Sequence, residues 1–240
     1  MKRFKILRFS SLPSTQEFAG KLLEKGEQSW TVVWAEEQWA GRGRGGRKFF
    51  SPRGGLYFSL LLFERNLDSS SLLYLSSWVV AKELEKISGV KPEIKWPNDI
   101  LLEGKKLAGI LLEKKKENWF ILGVGINLNS TVKDFPSYLQ DKIITLHEYT
   151  GKIFDLESVL FSLIEELWKG LKLLKEEGFL YILHKWRTYS IPIGKRIIFH
   201  WKGGTQEGYY WGVGEEGEVY LRTLEGRVIS FTSGDLNLIF

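Results

Sequence analysis

The 240-residue sequence contains no cysteine, which removes disulfide frameworks, thiolate metal sites and thiol nucleophiles from consideration together. Histidine is nearly as scarce. His147, His184 and His200 stand far apart and keep no metal-ligand spacing. No stretch approaches the roughly 20 apolar residues of a membrane span. Met1-Lys2-Arg3 precedes a short apolar strand rather than the long apolar core of a signal peptide. Internal repeats and low-complexity linkers are missing too. What remains is the expectation of a cytoplasmic protein: one sizeable domain, or a main domain with a small appendage, long enough to bury a core without staples. Charge is only mildly one-sided, with 34 Lys and Arg against 29 Asp and Glu, a net of +5. Such a balance suits a plain solvated surface as well as a nucleic acid, a phosphorylated ligand or an acidic partner. The placement of the arginines has to decide.

The hydrophobic pattern changes period several times along the chain. Residues 4–9 alternate as a strand, and Ser14 and Glu17 have capping-box spacing ahead of the apolar stripe Phe18, Leu22, Leu23, which Gly26 ends. Residues 31–37 predict a strand running into a Gly/Arg-rich loop at 41–48, and Leu56 to Phe63 a buried strand. Residues 71–88 have helical periodicity up to Gly89. A hairpin is expected over 100–113 around Glu103-Gly104-Lys105, then a turn from Lys114 to Asn118 and a strand over 119–128. A second helical block spans about 156–188. From about 190, short strands alternate with Lys202-Gly203-Gly204, Gly214 to Gly217 and Glu225-Gly226, the pattern of a small SH3-like barrel. Hairpin-joined strands with helices in two separate blocks predict an α+β fold rather than a doubly wound parallel sheet.

Four stretches carry chemistry. In GRGRGGRKFFSPRGG (41–55), glycines let the backbone approach a ligand, and Arg42, Arg44 and Arg47 can converge on one anionic group. This suits a loop that folds over a phosphate-bearing ligand. The competing reading, a disordered Arg/Gly arm that binds RNA, is opposed by the buried-strand patterns on both sides. No Walker A ending and no G-x-G-x-x-G opening a helix is present, so any ATP site is of another type. Lys95-Trp96-Pro97-Asn98-Asp99 follows, as an ordinary turn or as part of a nucleotide site. Lys105-Lys106-Leu107-Ala108-Gly109-Ile110-Leu111 puts a lysine in a strand beside Ala and Gly, either exposed at an edge or facing an anion. Finally, Gly123 and Gly125 in a core strand suggest close approach by a ligand or another backbone.

Taken in order and spacing, Ser14-Thr15-Gln16, Gln38, GRGRGGRKFFSP, KWPND, KLAGIL and GVGINLN resemble the biotin–protein ligases over nearly the whole chain. Lipoate ligases share that catalytic fold but lack this combination, and the lipoyl and octanoyl transferases rely on a cysteine. The resemblance implies a class II synthetase-like catalytic domain over 1–189, with a mixed, mostly antiparallel sheet, and an SH3-like domain over 190–240. It implies an enzyme that activates biotin with ATP and Mg²⁺ as biotinyl-5'-AMP, then transfers it to a lysine of a biotin carboxyl carrier protein. Ser14, Thr15, Gln16 (where the family usually has asparagine), Gln38, Arg42, Gly43, Arg44, Lys106 and Gly109 would bind biotin. Arg44, Arg47, Phe50, Lys95, Trp96, Asn98 and Asn127 would bind nucleotide, with Phe49 and Phe50 as an aromatic wall. Lys106, Arg42 and Asp99 would be catalytic, Asp99 as a proton acceptor in the transfer step and as a neighbour of the metal. Because the catalytic pattern begins at the first strand, the monofunctional class without a DNA-binding domain is expected, with no nucleic-acid or membrane partner, and a homodimer through the sheet. The alternatives are a lipoate-type ligase and a non-enzymatic nucleic-acid-binding module.

Overall fold

The computed structural model describes residues 4–239, so Met1-Lys2-Arg3 lies outside the described residues. Its first unit is βαβ. β1 (Lys5–Phe9) leads into α1 (Thr15–Glu24), and the Ser14 hydroxyl caps that helix by accepting the Glu17 N–H at 3.4 Å. The Glu17 carboxylate turns the other way, to Lys21 at 2.8 Å one turn on. The chain returns as β2 (Thr31–Ala35), parallel to β1. All further pairing in this sheet is antiparallel. β3 (Leu56–Phe63) runs beside β2, and α2 (Ser69–Ser88) follows, capped by Asp68 and ended by Gly89 in the left-handed region at φ 79°. β4 (Glu93–Lys95), β5 (Asp99–Leu102), β6 (Lys105–Lys116) and β7 (Trp119–Ile126) complete seven strands in the order β1-β2-β3-β7-β6-β5-β4.

Two short helices, α3 (Ser137–Gln140) and α4 (Leu146–Thr150), occupy a region where the sequence shows no helical period. At four and five residues they are too short to display one. The helical block beyond is interrupted: Gly178, at φ 81°, separates α5 (Leu156–Glu177) from α6 (Phe179–Arg187). These helices and α2 cover one face of the sheet. They form the main core with Leu60, Leu122 and Ile126 from the strands and Leu75, Leu163 and Trp186 from the helices. α1 covers the other face and buries a smaller cluster of Ala19, Leu23, Val33, Leu61 and Ile121. Burial on both faces explains why β3 reads as a nearly unbroken apolar run.

The last five strands, β8 (Arg196–Trp201), β9 (Gly204–Val213), β10 (Val219–Thr223), β11 (Val228–Phe231) and β12 (Asp235–Leu238), form a second antiparallel sheet ordered β11-β10-β9-β8-β12. Each of the three expected turns holds one glycine with positive φ: Gly204, Gly217 and Gly226. Phe199, Val219, Leu221 and Leu236 of this sheet belong to the same apolar cluster as Trp96 and Tyr74 of the larger unit. Polar ties reinforce the join. The Trp96 indole N–H donates to the Tyr74 hydroxyl at 2.7 Å, which donates in turn to the Gly217 carbonyl at 2.7 Å. Arg187 donates to the carbonyl of Val213.

Candidate active site

β-strand alternation fixes which side chains share the α1 face. On β7 these are Ile121, Gly123 and Gly125; on β3 their partners are Leu61, Ser59 and Tyr57. On β6, Gly109 pairs with Gly125, and Leu111 with Gly123. α1 covers Leu61 and Ile121, but past its N-terminus three glycines leave bare backbone. A cleft opens there, roofed by the 41–49 segment.

One irregularity brings the lysine in. Lys106 and Gly109 are three apart, so regular alternation would send them to opposite faces. The register between β5 and β6 shifts instead: Ile100 pairs with Ala108 and Leu101 with Lys106. This bulge lets Leu107 and Ala108 both enter the core while Lys106 and Gly109 both face the cleft. The Lys106 stem lies across Gly109, its Cε 3.1 Å from where a Cβ would stand. The Phe49 ring fills the rest of the floor. A Cβ at Gly125 would come within 2.5 Å of the ring, one at Gly109 within 3.1 Å, and the Lys106 ammonium sits 5.6 Å from its centroid.

The two ends of the cleft differ in chemistry. One is neutral and densely hydrogen-bonded. Gln38 Oε1 accepts from the Thr15 N–H at 2.8 Å and the Thr15 hydroxyl at 3.1 Å, while its Nε2 donates to Ser51. Ser14, Gln16 and Ser59 line the same end, and all three are nearly fully buried. The other end is cationic, with Arg42, Arg44, Arg47 and Lys106 around it. Asp99 is the one carboxylate in the lining. It binds Lys106 at 2.6 Å and Lys95 at 2.9 Å. Burial disfavours its charged form, but Lys106 and Lys95 outweigh burial and hold the carboxyl well below the usual carboxylate range.

The arginine loop is anchored. It makes a tight turn in which the Gly43 N–H donates to the Arg47 carbonyl and the Phe49 N–H to the Gly41 carbonyl. Gly41 is packed so closely that a Cβ would stand 2.4 Å from the Phe49 carbonyl oxygen. Arg44 donates to Asn98 Oδ1 at 2.9 Å and to the Gly234 carbonyl at 3.2 Å, and Arg47 pairs with Asp235 at 2.7 Å. Asn98 is fixed in turn by donating to the Ile110 carbonyl at 2.6 Å. The loop thus spans from the large sheet to the C-terminal one.

Most residues expected at the site line this one cleft: Ser14, Thr15, Gln16 and Gln38 at the neutral end, Arg42 to Arg44, Arg47, Asn98, Asp99, Lys106 and Gly109 towards the other. Four lie elsewhere. Lys95 reaches the cleft through Asp99. Trp96 is buried, 4% exposed, against Phe199. The Asn127 amide donates to the carbonyls of Lys106 and Ile144 behind the strand. Phe50 faces an adjoining groove with Trp39, edge-on to Tyr138. Residues the sequence reading passed over include Ser59, whose signal was available as the lone polar side chain of an apolar strand. Glu113, Gly234 and Asp235 had no local signal.

Known proteins resemble this chain in sequence and in fold. The sequence profile described as the "Biotin/lipoate A/B protein ligase family" matches residues 8–129. The chain is 34% identical over 234 residues to the "Bifunctional ligase/repressor BirA" of Bacillus subtilis, spanning 95% of this chain and 72% of that protein. It is 30% identical over 207 residues to the "Biotin--[acetyl-CoA-carboxylase] ligase" of Paracoccus denitrificans, covering 82% and 86% of the two chains. The structure superposes on the biotin protein ligase of Aquifex aeolicus in complex with biotin and ATP with a TM-score of 0.87 at 32% identity, covering 98% of both chains.

Proposed function

This chain belongs to the biotin/lipoate A/B protein ligase family, and from that premise we propose that it is a biotin–protein ligase. It joins biotin to ATP as biotinyl-5'-AMP with release of pyrophosphate, then passes the biotin to a lysine of a biotin carboxyl carrier protein. The observation that carries this reading is the polarity of one cleft. A neutral end rich in hydrogen-bonding groups, suited to a ureido ring, leads over a glycine floor to a cationic end suited to a carboxylate and a phosphate. The named substrates of the Aquifex and Paracoccus relatives support the assignment.

The chemistry follows from charge. A carboxylate attacking the α-phosphate approaches a group that is itself negative. Lys106 and Arg42 reduce that repulsion and stabilise the charge that builds up in the transition state. The attacking carboxylate is already ionised, so adenylation needs no general base. Ser14, Thr15 and Gln38 hold the ring at the neutral end, and Arg44 and Arg47 hold the loop over the phosphate. The cleft is small, about 160 Å³, against the roughly 300–1,000 Å³ of drug-sized ligand sites. The Phe49 ring moves off Gly109 and Gly125 as the acyl chain takes its place. A closed loop then shields the mixed anhydride from water.

Mg²⁺, if brought by the nucleotide, would offset part of the phosphate charge. Among the described residues no group of three or more His, Asp or Glu side chains could hold an ion. Asp99 is already neutralised by two lysines, so the side chains fit a protein-bound magnesium poorly. For the same reason Asp99 is a weak proton acceptor while both lysines stay with it. Its first task is to hold the Lys106 side chain in place. Asn127 supports the same strand from behind.

The test is biotin-dependent exchange of pyrophosphate into ATP by the purified protein. Exchange that requires biotin is the expected result; exchange driven by lipoate and not by biotin would move the chain to the lipoate branch.

A further inference from the structure

We propose that Glu113 is a positioning residue that fixes which end of the Gln16 side-chain amide faces the neutral end of the cleft, so that this end selects a ligand carrying an N–H. The proposal rests on the ligase reading above and adds to it a determinant of ring recognition.

A buried primary amide has two ends of nearly equal shape, so its partners decide which end points where. Both partners of Gln16 Nε2 are obligate acceptors: Glu113 Oε2 at 2.8 Å and the Ile121 carbonyl at 3.1 Å. With both amide protons engaged on that side, Oε1 is turned the other way. There it receives the Ser59 hydroxyl at 3.0 Å and lies over the floor, 2.6 Å from where a Cβ at Gly123 would stand. Gln16 is 3% exposed, so its protein partners set the orientation of the amide. An acceptor is therefore presented where a donor would stand if the amide were reversed.

The local structure explains how this is built. Glu113 and Ile121 are a cross-strand pair on β6 and β7, on the α1 face and just beyond Gly123. Glu113 also meets Lys115 at 3.2 Å, which offsets its charge at the sheet's outer end. Gly123 is then not merely small. A side chain there would displace the amide that the strand pair has oriented. The neighbouring hydroxyls are committed as well: the Thr15 hydroxyl donates to Gln38, and the Ser59 hydroxyl lies within hydrogen-bonding distance of Thr15 Oγ1 and Gln16 Oε1. The remaining lone pair of Gln16 Oε1 is thus matched to a ring N–H of the ligand. A site built to accept an N–H discriminates strongly against an analogue that lacks it, because its own acceptor is left unpaired.

The experiment uses the full chain. Calorimetry without ATP measures binding of biotin and of its two cyclic carbamate isomers, each with one ring N–H replaced by oxygen. Wild type is expected to bind biotin more tightly than at least one carbamate. In Glu113→Ala the biotin Kd should rise about tenfold while that carbamate changes little, so the ratio collapses; Glu113→Gln, which keeps a carbonyl acceptor, should restore it. Pyrophosphate exchange at saturating biotin should stay within about twofold of wild type, confining the effect to KM. Gln16→Met removes the acceptor itself and should collapse the ratio even if Glu113→Ala fails to fold. An unchanged ratio in either folded variant, or equal weakening of both ligands, overturns the proposal. Absence of biotin binding by wild type would instead overturn the ligase reading on which it rests.

Discussion

Replacing Lys106 with methionine removes its charge while keeping most of its stem, which separates two things the residue does. The stem lies across Gly109, with the ammonium 5.6 Å from the centroid of the Phe49 ring, and methionine preserves most of the stem's packing. The lost ammonium leaves Asp99 with Lys95 alone, at 2.9 Å. Stripping a buried charge of its last partner costs about 3–5 kcal/mol. Here one partner stays, and the lost one is 35% exposed and screened by solvent. A destabilisation of about 1–2 kcal/mol follows, or roughly 2–8 °C in Tm for a chain of this size. The catalytic cost is larger, since losing one donor aimed at developing charge typically lowers the rate by about 10²–10³. Biotin-dependent pyrophosphate exchange, with thermal melting on the same samples, reads both. Near wild-type exchange with unchanged melting would remove Lys106 from the mechanism. Complete unfolding of Lys106→Met would make its role structural.

Three further outcomes follow from the structure. Arg44→Gly cuts the ties to Asn98 and Gly234; amide exchange over 41–48 should quicken and bystander lysines should be labelled by escaped adenylate, whereas unchanged exchange and no stray labelling would mean that the loop is no lid. The folded-state value of Asp99 is depressed, so its contribution to stability is present above its ordinary value of about 3.9 and is lost only as pH falls through the lower folded value. The pH–rate profile for exchange should therefore show no acid limb from Asp99 down to about pH 5; a limb near neutrality that Asp99→Asn abolishes would contradict this. Truncation at Ser190 removes Gly217, Phe199 and the other groups that cover Tyr74 and Trp96, so the shortened chain should melt well below the full one; equal melting with retained biotin binding would make residues 190–240 a separable domain.

Much of this was legible because it is local. The period of Leu56 to Phe63 predicts a buried strand, Gly89 a helix end, and the glycines at 204, 217 and 226 the turns of the C-terminal sheet. Arg42, Arg44, Lys106 and Gly109, which line the cleft, stand out in motifs whose backbone needs are local too, as with the Ala-Gly pair beside Lys106, whereas Ser14, Thr15, Gln16 and Gln38 enter only through the family resemblance. What escaped depends on topology. The bulge that turns Lys106 and Gly109 to one face is a property of strand pairing, not of composition. The bond from Gln16 to Glu113 spans 97 positions, and that from Arg44 to Gly234 spans 190. The arginine loop illustrates the difference. With no apolar residue between Gly41 and Lys48 its sequence suggests an unanchored segment, yet distant polar groups anchor it. The break at Gly178 was visible as a glycine, but a glycine within a helical pattern does not say by itself whether the helix stops.

The most direct test of the central claim is the complete reaction: purified protein, ATP, Mg²⁺, biotin and a biotin carboxyl carrier domain, read by intact-mass and peptide mass spectrometry of the carrier. One biotin is expected on one specific lysine of the carrier, dependent on both ATP and biotin, and lost when Lys106 is replaced by methionine. An unmodified carrier, or one that accepts lipoate and refuses biotin under the same conditions, would contradict the claim.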